Sequence, residues 1–110
     1  MAFSATDLTV TTGAQAANGD SLTVTYEGWL YDQAAAENKG LLFDSASAGF
    51  TFVLGAGQVI TGWDQGLVGL RVGAKRRLVL PPSMAYGATG AGSIPGNATL
   101  VFDVVLVSIQ

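Results

Sequence analysis

Tyr26, Phe43, Trp63 and Tyr86 stand at the ends of apolar segments rather than in their centres. Four aromatics so placed are either core residues or the walls of a ligand cavity, and pattern alone leaves both readings open. The other residues able to do chemistry are fewer than usual. The chain has no histidine and no cysteine, so disulfides, thiolate nucleophiles, the usual structural zinc sites and every Ser-His or Cys-His catalytic arrangement are excluded. The aspartates at 7, 20, 32, 44, 64 and 103 never form the alternating acidic loop of an EF-hand, so no metal and no cofactor is expected. Whatever the chain does at neutral pH, it does not do by histidine proton shuttling.

At 110 residues, the chain has room for one domain and one core, and residues 1–110 are read as a single unit. Hydrophobic residues make up 49% and charged residues 12%, a balance that favours a packed interior over disorder. The net charge of -3 opposes binding to a phosphate backbone, so no nucleic acid is expected as a partner. Lys75-Arg76-Arg77, the one basic run, reads as a solvated strand entrance with one side chain facing a neighbouring acid. Neither a signal peptide at Met1–Asp7 nor an apolar run long enough to span a membrane is seen, and the expected placement is cytoplasmic, with no membrane partner. A monomer is the default because no strand offers an unprotected apolar edge.

The elements that must position the aromatics follow from periodicity. Residues 6–11 read as a first strand, and Gly13–Asp20 as a turn region. From Leu22 to Tyr31 the alternation puts Leu22, Val24 and Tyr26 on a buried face, so the Tyr26 hydroxyl needs a polar partner. Residues 32–40 read as an exposed excursion with one turn of helix, residues 41–43 as a short extended piece, and Asp44–Gly49 as a turn. Phe50, Phe52 and Leu54 share one face of a further strand. The one helix candidate starts at Thr61, with Thr61 as cap, Asp64 completing a capping box, and Trp63 and Leu67 on one face. Glycines at 62, 66 and 69 weaken it, so packing against a sheet must hold it, with Trp63 as anchor. Leu78 and Leu80 point one way before Pro81-Pro82 ends their strand. Residues 83–96 are turn-rich, and in the final strand, Asn97–Ile109, Leu100, Phe102, Val104 and Leu106 fall together.

Six ordered signatures carry a resemblance. They are Val24, Tyr26 and Gly28; Phe43, Asp44 and Ser45; Phe50, Phe52, Leu54 and Gly55; Val59, Ile60, Gly62, Trp63 and Gly66; Tyr86 and Gly87; and Ile94, Pro95 and the run Asn97–Val104. In this order and spacing, over about residues 20–110, the chain resembles the FK506-binding family of peptidyl-prolyl cis/trans isomerases. The resemblance implies an α+β fold, a curled antiparallel sheet of five to six strands wrapped around one short helix. It implies a pocket lined by Tyr26, Phe43, Asp44, Phe50, Val59, Ile60, Trp63, Tyr86, Ile94 and Phe102. Trp63 would be the floor under the proline ring, with Phe43, Val59 and Phe102 as apolar walls. The Ile60 N–H and the Tyr86 hydroxyl would donate to substrate carbonyls, and Asp44 would orient Tyr26. Asp44, Tyr86, Ile60, Trp63 and Phe102 are thereby the catalytic candidates.

The implied partners are proline-containing peptides and unfolded chains, together with macrolides of the FK506 and rapamycin type. Three departures mark this chain: a longer stretch between Gly28 and Phe43, a shorter turn after Asp44, and a Tyr86–Ile94 loop lacking a bulky overhanging residue. That loop has no room for an inserted chaperone domain. The physics suits the activity, because rotating an X-Pro bond crosses a barrier of about 20 kcal/mol without breaking a covalent bond. The competing readings are a binding module that docks proline segments without catalysis, and a β-domain whose aromatics fill a closed core.

Overall fold

Five strands, one α-helix and two single-turn 3-10 segments make up the described structure, a computed structural model covering residues 3–110. Met1 and Ala2, the start of the segment read as free of a signal peptide, lie outside the described residues. The strands are β1 (Ser4–Thr9), β2 (Ser21–Tyr31), β3 (Lys39–Val53), β4 (Lys75–Leu80) and β5 (Leu100–Ile109). They form one antiparallel sheet in the order β1-β4-β5-β2-β3. The helix α1 spans Thr61–Gly66 between β3 and β4. Among the described residues, no helix is long and apolar enough to cross a membrane.

The expectation of a curled sheet of five to six strands is corrected. The sheet is open, with five strands; β1 and β3 are its two edges, separated by β4, β5 and β2, and they share no ladder. Closure would need those edges to exchange hydrogen bonds. Here β1 is only six residues long and exposed throughout, and β3 pairs with β2 through repeated register shifts. Alternation in a sequence fixes which face each side chain takes; it does not fix strand order or curvature.

The faces themselves follow the alternation. Leu22 and Val24 of β2, Leu78 and Leu80 of β4, and Leu100, Phe102, Val104 and Leu106 of β5 are buried together with Phe52, Leu54, Trp63, Leu67 and Leu70. The glycines of α1 bring it close to the sheet. A Cβ at Gly62 would collide with the Leu80 side chain, and one at Gly66 with Leu78. Absent side chains at these two positions let a helix of poor intrinsic propensity sit down on β4, with the buried Trp63 and Leu67 facing the core.

Two local expectations change. Asp44–Gly49 is not a turn; it lies within the continuous strand β3, and the extra residues are absorbed where Val24 pairs with Phe50 but Tyr26 pairs with Ala46. Nor does Thr61 cap α1. Ile60 is the N-cap residue, with extended backbone and no side-chain cap, and the Asp64 carboxylate turns to the preceding loop. The excursion 32–40 does contain one short turn, a 3-10 segment at Ala36–Asn38.

The basic run is far better paired than a solvated strand entrance. Arg76 Nε donates to Asp7 Oδ1 at 2.6 Å, and its guanidinium also reaches the carbonyls of Gly66 and Val68. Arg77 clasps Asp103 with two hydrogen bonds of 2.7 and 2.9 Å and reaches Glu37, while Lys39 Nζ lies 2.9 Å from Asp103 Oδ2. The excursion thus docks on the face of the sheet opposite the helix through charge.

Candidate functional site

A cavity of about 380 Å³ opens beside α1, lined by Tyr26, Asp44, Phe50, Gly57, Gln58, Val59, Ile60, Trp63, Tyr86 and Phe102. Each wall comes from a different element. β2 supplies Tyr26, β3 supplies Asp44 and Phe50, the loop before α1 supplies residues 57–60, α1 supplies Trp63, the turn-rich loop supplies Tyr86, and β5 supplies Phe102. The aromatics meet edge to face. Trp63 lies 4.8 Å from Tyr26 and 5.4 Å from Phe102 between ring centroids, at 86° and 84°. Such pairs fix one another's orientation, so the cavity is held open by rigid rings. Phe50 and Tyr86 are more than a third exposed and stand at its mouth, whereas Trp63 and Phe102 are buried at its base.

The structure brings eight of the ten residues expected at a pocket to this cavity. Phe43 and Ile94 are not among its lining. Phe43 packs edge to face behind Phe102 at 5.5 Å, and Ile94 is buried in the core, bridged to Ala91. Gly57 and Gln58 line it and were not anticipated; their only signal was position, immediately before Val59 and Ile60. A filled β-domain, with no open space between Trp63 and Phe102, is not what the chain forms.

Polar groups are few and specific. The Tyr26 hydroxyl donates to Asp44 Oδ2 at 2.7 Å. Burial, the Asp44 hydrogen bond and its negative charge push the Tyr26 phenol above its ordinary value, so it remains a donor throughout the neutral range. Burial, followed by the charge of Asp44, does the same to Tyr86. The Ile60 carbonyl accepts from the N–H groups of Trp63 and Asp64 at 3.0 and 3.2 Å, but its own N–H has no acceptor among the described residues. Trp63 Nε1 is likewise buried without a protein partner. The arrangement can take up an apolar ring, strip water from it and offer N–H and O–H donors to neighbouring carbonyls. Its one hydroxyl paired with a carboxylate is that of Tyr26, and burial and the Asp44 charge oppose the phenolate a covalent step would need.

Comparison with known proteins agrees with this geometry. The family model described as FKBP-type peptidyl-prolyl cis-trans isomerase matches residues 12–107. FK506-binding protein 2B of Rhizopus delemar is 54% identical over 97 residues, covering 84% of this chain and 44% of that longer protein. The FK506-binding protein of Neisseria meningitidis serogroup C is 45% identical over 107 residues, covering 94% of this chain and 92% of its own length. The crystal structure of AtFKBP13 superposes with a TM-score of 0.84 at 34% identity, covering 98% of this chain and 93% of that one. The chain therefore belongs to the FKBP-type peptidyl-prolyl cis-trans isomerase family and has the isomerase activity on proline bonds that defines it.

Proposed function

We propose that an X-Pro segment of a flexible chain enters this cavity with its proline ring on the Trp63 indole, between Val59 and Phe102. Phe43 and Ile94 support these walls from behind. The Ile60 N–H and the Tyr86 hydroxyl donate to the carbonyls flanking the bond that rotates. What carries this reading is an aromatic-lined cavity of about 380 Å³ whose lining includes Ile60, a residue with a backbone N–H that has no acceptor among the described residues.

A planar amide is more polar than a twisted one, because resonance places negative charge on its oxygen. Removing water from that oxygen therefore costs the planar form more than the twisted one, and the barrier falls. Donors that fix both flanks leave rotation as the remaining freedom. Each tenfold acceleration needs only about 1.4 kcal/mol of such preference. Asp44 transfers no proton in this scheme. It holds the Tyr26 hydroxyl and, through it, the edge of Tyr26 against Trp63.

The finer parts of the reading are that macrolides of the FK506 and rapamycin type occupy the same cavity and that residues 1–110 act as one monomeric domain in the cytoplasm, without nucleic-acid or membrane partners. The aromatic-lined cavity supports the macrolide reading, and the net charge of -3 supports the absence of a nucleic-acid partner. Cell fractionation and sedimentation check placement and oligomeric state.

The deciding experiment is protease-coupled isomerisation of a short Leu-Pro peptide with and without FK506. Acceleration that FK506 abolishes is expected. Trp63→Ala should reduce kcat/KM on the order of a hundredfold, about 2.7 kcal/mol, and Asp44→Ala about tenfold, in variants shown to be folded. A folded protein that binds FK506 but gives no acceleration would turn the site into a proline-docking surface and remove the catalytic roles assigned to its residues.

A further inference from the structure

Residues 54–60, between β3 and α1, contribute four of the residues lining the cavity, yet they belong to no helix or strand. Something else must hold them, because a loop free to move would carry Val59 and the Ile60 N–H with it. Two side chains do so. Gln58 Oε1 accepts the Val53 N–H at 2.9 Å and closes the loop on itself. Asp64 reaches back from α1: its Oδ1 accepts the Gly55 N–H at 2.9 Å and its Oδ2 accepts the Gly57 N–H at 3.0 Å. The Asp64 backbone N–H meanwhile donates to the Ile60 carbonyl at 3.2 Å. One residue thus grips the loop at Gly55, Gly57 and Ile60, leaving between those points only Ala56, Gln58 and Val59. Gly55 and Gly57 take φ of 82° and 74°, the left-handed conformation that favours glycine, and in it their two N–H groups converge on a single carboxylate.

Asp64 does not line the cavity, but the residue before it, Trp63, is the cavity floor. Floor and rim are therefore fastened to consecutive residues of one helix. Building on the proline-pocket reading above, we infer that Asp64 is a positioning residue, which fixes the Ile60 donor and the Val59 wall relative to the Trp63 floor without touching substrate. The role needs a carboxylate. Both oxygens accept, whereas an asparagine offers one oxygen and one NH2, so one glycine N–H would face another donor.

Asp64→Asn tests this. A misplaced rim weakens binding of ground state and transition state alike, so the peptide KM and the FK506 Kd should each rise about tenfold while kcat changes less than about twofold. Amide hydrogen exchange at Gly55 and Gly57 should accelerate, with that of Leu67 and Leu78 unchanged. KM and Kd within twofold of the unaltered protein, in a folded variant, would overturn the inference. So would equal losses in kcat and in folded fraction with Gly55 and Gly57 still protected. If the variant does not fold, the unaltered protein decides, because both glycines are exposed and only the clamp can slow their exchange. Exchange there at the rate of an unstructured chain would overturn it. An unaltered protein without isomerase activity or FK506 affinity would strike the pocket reading, while Gly55 and Gly57 protection would still judge the clamp separately.

Discussion

Phe102 and Asp103 are neighbours in β5 and are equally hidden from solvent, yet they face interiors of opposite kinds. Phe102 looks into a wall of rings in which Trp63 Nε1 and the Ile60 N–H are left without partners. Asp103 looks into a cluster where every oxygen is claimed, by Arg77 on both sides and by Lys39 on one, with Glu37 completing the group and Lys39 lying 4.3 Å above the Trp29 ring. In the function proposed above, the side with spare donors is the one that meets substrate. The saturated side fastens the excursion 32–40 to the sheet. Buried polarity therefore marks function in this molecule where it is unsatisfied, and structure where it is satisfied.

The largest effect that would break this division is at Asp103. Asp103→Ala leaves Arg77 and Lys39 facing each other with little solvent, and should cost about 3 kcal/mol in urea unfolding while isomerisation per folded molecule stays within about twofold. A matching loss of activity would mean that the two faces are coupled. The same side chain governs the acid limb. Burial opposes its ionisation, but the hydrogen bonds and charges of Arg77 and then Lys39 prevail and hold its carboxyl below the ordinary range. A depressed value stabilises the folded chain above the ordinary carboxylate pKa of about 3.8, and that contribution is lost as pH falls through the folded value. The unaltered protein should therefore lose stability below pH of about 4, and a Asp103→Asn variant should show a shallower acid limb in circular dichroism.

Tyr26→Phe is a smaller perturbation on the cavity side. It deletes the donor to Asp44 but keeps the ring against Trp63, so about 1 kcal/mol of stability and about threefold in kcat/KM should go, with the FK506 affinity reporting the same direction. Smallest of all is Asp7→Asn. Asp7 is half exposed and Arg76 keeps two carbonyl acceptors, so the melting temperature should move by less than about 1 kcal/mol is worth and activity not at all.

Face assignment and the ordered aromatic signatures were legible because they are local: Leu100, Phe102, Val104 and Leu106 alternate on the page as they do in β5. What escaped was set over distance. The Asp103 cluster joins residues from the excursion, β3, β4 and β5, and no spacing announces such a pairing. Phe43 and Ile94 carry the right motif but point behind the cavity, since a motif fixes a neighbourhood and not a side chain's direction. Asp64 matched a capping box, yet two nearby glycine N–H groups competed successfully for its carboxylate. The six residues from Asp44 to Gly49 suggested a turn by composition, but pairing with β2 made them strand.

The strand order has a kinetic side. β5, last in chain order, is the central strand, pairing Leu22 with Ile109 and Leu80 with Leu100, and β1 waits for β4. Before β5 arrives on the ribosome, β2 with β3 and β1 with β4 have no bridge between them, and the cavity lacks Phe102. Contacts so distant in sequence place folding in the slow range for small domains, roughly milliseconds to seconds. The cavity is therefore incomplete until β5 pairs with β4 and β2, and this folding helper cannot assist the pairing that assembles its own site.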